Sequence, residues 1–107
     1  MQAKYMNKGE LEEYLGLIRQ AKEDSNKQLY LLCPPIVFFP KYTTKEIKEW
    51  SLENRIDLIK IYWDDIKNFL KDFDGAVEYL STCIKVSENL IEKETELIHD
   101  LKDYENE

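Results

Sequence analysis

The sequence predicts an all-α fold: an antiparallel three-helix bundle with coiled-coil-like packing, a short extra helix near 44–50 and an apolar, proline-rich loop over 33–42. Three observations lead there. Glycine occurs only three times, and the three prolines, Pro34, Pro35 and Pro40, fall in one stretch. The remaining chain carries long apolar stripes at helical spacing. Finally, 107 residues, 43% hydrophobic and 35% charged, suit a single domain spanning 1–107 with one packed core.

Helix 1 is expected over about 8–32. Asn7 followed by Glu10 is a capping-box signature, in which each side chain can satisfy a backbone N–H at the helix start. The apolar face then runs Leu11, Tyr14, Leu15, Ile18 and Ala21, weakens at Ser25 and recovers at Leu29 and Leu32. Pro34 and Pro35 end it, because proline disfavours helix in the residue before it and donates no N–H.

The loop 33–43 is unusually apolar for a connection. In "CPPIVFF", an extended backbone would send side chains of alternate parity to opposite sides. Ile36 and Phe38 would then point one way and Val37 and Phe39 the other. The segment reads either as a plug over the mouth of the bundle or as an exposed aromatic anchor for a partner.

A short helix follows at about 44–50, opened by Thr43 and Glu46 as a second capping box. Its apolar residues are out of phase with what comes next, so Ser51 is read as the N-cap of a new element. Helix 2, about 51–73, carries Leu52, Ile56, Ile59, Trp63, Ile66, Leu70 and Phe73 at alternating steps of four and three. Asp74–Gly75 supplies a tight turn. Helix 3, about 76–103, presents Val77, Leu80, Cys83, Ile84, Leu90, Ile91, Leu97, Ile98 and Leu101.

So tight a turn fixes a register in which facing residues of helices 2 and 3 have numbers summing to about 149. Trp63 then faces Ser87, and Arg55 faces Glu94 inside the apolar faces. A structural ion pair between Arg55 and Glu94 is expected; the alternative is that the two diverge, with Glu94 answering Arg19 or water.

Charge is net −7, of which −6 lies in residues 75–107, where nine acidic residues meet three basic ones. Binding duplex nucleic acid needs cations to displace counterions, so this balance speaks against it; a basic partner surface would be the natural complement, but the preferred reading is that the acids keep a small helical protein soluble. The longest uncharged run, Gln28 to Pro40, is too short and proline-rich to span a bilayer, and no membrane association is expected. The N-terminal stretch has no apolar core, so no signal peptide is read and the chain is expected to be cytoplasmic. The two cysteines, Cys33 and Cys83, read as reduced thiols filling apolar space.

The chemistry is thin. His99 is the single histidine; with Glu96 it has the Glu-x-x-His spacing of di-iron bundles, but such a site needs a second copy. Glu10 with Glu13, and Glu46 with Glu49, mimic magnesium-binding pairs but lack the later Glu-x-x-Asp, and helix-start acids explain them. The glycines are scattered, so no phosphate loop forms. No catalytic, metal or cofactor site is assigned, and the chain is not read as an enzyme.

What remains is surface. The expected function is a protein-binding regulator or inhibitor that occludes another protein's surface. The Lys-, Ile- and Glu-rich makeup resembles products of low-GC bacteria and their phages, so a phage counter-defence or antitoxin-like factor fits within that class. Candidate contact residues are Ile36, Val37, Phe38 and Phe39 in the loop, Tyr62 and Tyr79 near the hairpin's closed end, and Glu92, Glu96, Asp100 and Asp103 on the acidic helix. Two alternatives stand beside it: a self-associating structural subunit, for which a homodimer is the simplest form, and an acidic mimic of nucleic acid.

Overall fold

The computed structural model describes residues 6–39, 41 and 50–105, the side chain of Ile36 excepted. The described residues are all-α: α1 Lys8–Leu32, α2 Pro35–Phe38, α3 Leu52–Ile61, α4 Trp63–Leu70 and α5 Ala76–Glu105. The short helix expected near 44–50, its Thr43–Glu46 cap and the Glu46–Glu49 pair lie outside them.

Local chemistry sets the starts of α1, α3 and α5. Asn7 Oδ1 accepts from the backbone N–H of Glu10 at 2.8 Å, while Asn7 Nδ2 donates to Glu10 Oε1 at 2.6 Å. Ser51 Oγ accepts from the backbone N–H of Asn54 at 3.2 Å, so α3 begins where the apolar phase changes. Gly75, at φ +75°, makes the turn into α5, and its carbonyl accepts from Tyr79 N.

The expected helix over 51–73 is corrected in two places. It is interrupted at Tyr62, whose backbone sits at φ −99°, ψ 20°. We ascribe the interruption to tertiary packing: the Tyr62 ring lies 5.5 Å from the Phe39 ring, at 64°. The second helical piece also stops at Leu70, leaving Phe73 in the turn and 57% exposed instead of on the core stripe.

α1 and α5 run antiparallel along the long axis of a molecule measuring 53 × 30 × 19 Å. Tyr104 near the end of α5 donates to the Met6 carbonyl, and Gln28 near the end of α1 donates to Tyr79 Oη at 2.9 Å. α3 is antiparallel to α5 as well, with Lys60 Nζ 2.6 Å from Glu88 Oε2, a pair whose numbers sum to 148.

The apolar interior divides in two. The larger cluster holds Leu29, Cys33, Phe39, Leu52, Ile56, Ile59, Ile66, Leu80 and Ile84, drawn from both the helices and the loop. A smaller one, Leu11, Leu15 and Leu97, joins the free ends of α1 and α5, with Tyr14, Ile18, Ile98, Leu101 and Tyr104 around it. Between them lies a polar belt.

Candidate functional site

The apolar loop is shaped by its prolines. Pro35 stands at the first helical position, where its missing N–H costs nothing, and its fixed φ starts a single helical turn. Phe38 N–H reaches the Pro34 carbonyl at 3.2 Å and Phe39 N–H the Pro35 carbonyl at 2.7 Å. The parity expected of an extended strand therefore does not apply. Phe39 goes in, 1% exposed; Val37 goes out, 50% exposed; Phe38 lies on the rim. The Ile36 side chain lies outside the described residues.

Phe39 is buried edge-on to Trp50, at 5.7 Å and 70°, and against Tyr62. Tyr62 is accordingly half-buried beneath the loop, with the Lys41 ammonium 5.5 Å from its ring centre. Tyr79 is exposed and bound to Gln28.

Phe38 carries the apolar surface outward. Its ring meets Phe69 at 5.2 Å and 83°, and Phe69 in turn stacks on Phe73 at 6.1 Å and 25°. Phe69 is about half exposed, like Phe73. A phenylalanine buries 150–250 Å² when fully enclosed, so the two rings leave on the order of 200 Å² of apolar area to water. The sequence reading missed both as surface. The signal was present for Phe69, which falls off the stripe defined by Ile66 and Leu70. For Phe73, the polar run Lys71–Asp72 indicated an earlier helix end.

Carboxylates lie close to this patch in sequence, as do the exposed Lys67 and Lys71. Asp65 lies one helical turn before Phe69, and Asp72 and Asp74 flank Phe73; all three are exposed. Lys67 is engaged by Asp64 at 3.7 Å, and the described ion pairs do not include Asp65, Asp72 or Asp74.

The polar belt corrects the expected Arg55–Glu94 pair. Glu94 accepts from Lys22 Nζ at 2.8 Å and from Arg19 Nε at 3.2 Å, so the alternative partner Arg19 is found together with one not foreseen. Lys22 also lies 3.1 Å from Glu53. The Lys22 hydrogen bond, helped by Arg19 and opposed by burial, holds the Glu94 carboxyl below its ordinary value. Burial works against the Lys22 ammonium, but the bonds to Glu94 and Glu53 outweigh it and hold Lys22 above its ordinary value.

Arg55 instead turns toward α1. Its Nε donates to Asn26 Oδ1 at 2.5 Å, and Asn26 Nδ2 donates to the Trp50 carbonyl at 3.0 Å. The guanidinium lies 5.3 Å from the Tyr30 ring centre and 5.4 Å from that of Trp50, within cation–π range. Burial lowers the Arg55 value and raises Cys33 to about 11, with Arg55 opposing the latter. These contacts fasten Trp50 and α3 to α1.

On α5, Glu92, Glu96 and Asp103 are exposed and Asp100 is half-buried. Lys93 lies 3.6 Å from Glu96, which dilutes the stripe. His99 is exposed beside it. Among the described residues, no group of three or more His, Cys, Asp or Glu is placed to hold a metal ion, and no helix is long and apolar enough to cross a membrane.

The chain matches no protein-family profile, no curated protein and no solved structure.

Proposed function

We propose that this chain is a non-catalytic, cytoplasmic protein-binding regulator or inhibitor. Its scaffold is an antiparallel bundle of α1, α3–α4 and α5, and it acts by laying the Phe38–Phe69–Phe73 patch on a surface of another protein. The observation that carries this reading is the pair of stacked, half-exposed phenylalanines at Phe69 and Phe73, continued by Phe38. Its area is ordinary for a surface patch; what marks it is the stacked aromatic pair, since interface hot spots are enriched in large aromatic anchors. Within this class, occlusion of a partner's working surface suits a phage counter-defence or antitoxin-like factor.

The two core clusters hold Phe39, not Phe69 or Phe73, so the patch is separable from the fold. A photo-crosslinking phenylalanine analogue at position 73, compared with the same analogue at Glu12 on exposed α1, tests the proposal in lysate of a low-GC bacterium. A single crosslinked protein at position 73, absent at position 12 and competed by unmodified chain but not by the Phe69→Ser/Phe73→Ser variant, supports it. Equal crosslinking at both positions, or none at either, refutes it.

A further inference from the structure

The carboxylates around the aromatic patch specify what seats on it. Resting on the binding role just proposed, we infer that the partner presents a cationic amphipathic helix, with an apolar face against Phe69 and Phe73 and Lys or Arg at its margins. The rings supply the apolar half of the recognition. Asp65, Asp72 and Asp74 supply the other half, because they are exposed and enter no ion pair among the described residues, while neighbouring Asp64 and Lys67 lie 3.7 Å apart. Around Phe73, Lys71 is outnumbered by Asp72 and Asp74.

A cation approaching this rim gains twice. It meets open carboxylates, and it can rest over an aromatic face, a contact that Arg and Lys make favourably within about 6 Å of the ring centre. A second copy of the chain gains neither. A two-fold contact sets the same patch against itself, so Asp65, Asp72 and Asp74 would confront their own like charges. An acidic or purely apolar partner would leave the same carboxylates facing no cation.

The test is fluorescence anisotropy of the full chain with a labelled 18-residue helix-forming Leu/Lys peptide, beside a Leu/Glu peptide of the same pattern. The Leu/Lys peptide is expected to bind and the Leu/Glu peptide to be rejected. Phe69→Ser leaves the net charge unchanged, so nonspecific attraction to an acidic protein would survive it, whereas truncation of a hot-spot anchor weakens binding about thirtyfold. Asp65→Lys/Asp72→Lys is expected to weaken binding about tenfold and to reduce its salt dependence.

Indifference to Phe69→Ser or to the charge reversals overturns the inference, as does equal binding of both peptides. Loss of binding only on reversal of Glu92, Glu96, Asp100 and Asp103 assigns the peptide to the acidic helix instead. Light scattering that shows a dimer dissolved by Phe69→Ser makes a second copy the occupant and also overturns it. The two readings fail separately. If the Leu/Lys peptide does not bind but the analogue at position 73 still crosslinks one protein, the binding role stands and the cationic helix falls.

Discussion

Replacing Phe39 by alanine should be among the most damaging single changes in this chain, although the residue sits in what the sequence presents as a loop. The side chain is 1% exposed and packs against Trp50, Tyr62 and Phe38. Removing it from the interior forfeits a transfer term of about 2–3 kcal/mol. A void of roughly 100 Å³, partly closed by relaxation, adds about 1–2 kcal/mol at about 24 cal/mol per Å³. The total, about 4 kcal/mol, lies within the range of about 3–5 kcal/mol usual for Phe→Ala in cores. The loss of edge-on contact with Trp50 and Tyr62 pushes it toward the upper end.

Small domains have only about 5–15 kcal/mol of stability in all, so this variant should sit near the edge of folding. Guanidinium denaturation followed by far-UV circular dichroism measures it, with Phe69→Ala as the internal comparison. Phe69 is half exposed, so its truncation should cost about 1 kcal/mol or less. In a thermal scan, Phe39→Ala should lower Tm by about 15 °C or more. Were Phe39→Ala to cost under about 1 kcal/mol, or were the two truncations equal, the loop would not be a plug. The division between inward Phe39 and outward Phe69 would then fail with it.

Three further outcomes follow from other parts of the molecule. Gly75→Ala should destabilise the chain by about 1–2 kcal/mol in the same denaturation assay, because φ +75° forces a Cβ into the left-handed region. Glu94 is held below its ordinary value of 4.5, so its contribution is complete above that pH and disappears as pH falls through the depressed value. The acid limb of stability against pH should therefore flatten in Glu94→Gln, with a loss of about 1–2 kcal/mol at pH 7. Cys33, buried and raised to about 11, should label with iodoacetamide at pH 8 far more slowly than half-buried Cys83, the difference vanishing in denaturant. Mass spectrometry of the two cysteine peptides gives the rates.

Helix starts were the most legible part of this fold, because their chemistry is local. Asn7 with Glu10, Ser51 and Gly75 each act within four residues, and such signals survive whatever the rest of the chain does. The break at Tyr62 was not legible. It depends on a ring more than twenty residues upstream, Phe39, whose inward turn is itself set by the prolines. Periodicity alone ran α3 and α4 together, since both sides of the break keep the same apolar stripe.

The misassigned partner of Glu94 has a related cause. The turn at Gly75 set the register of α3–α4 against α5 closely enough that Lys60 and Glu88 meet. Two helices cannot say what a third contributes, however, and α1 brings Lys22 and Arg19 to Glu94 while it offers Arg55 an amide and an aromatic face. The aromatic patch escaped notice for the opposite reason. Reading every large apolar residue near a stripe as core makes a surface phenylalanine invisible, and Phe73 was absorbed into a stripe that the helix does not live to complete. Phe69 and Phe73 break the rule of apolar residues inside without any gain to the interior, while Phe39, two residues on from Val37 and in ring contact with Phe38, obeys it fully. Leu17, Leu31 and Ile61 are exposed still further, but Phe69 and Phe73 are stacked on each other, and a stacked pair that disagrees with the pattern is the departure on which the proposed binding role rests.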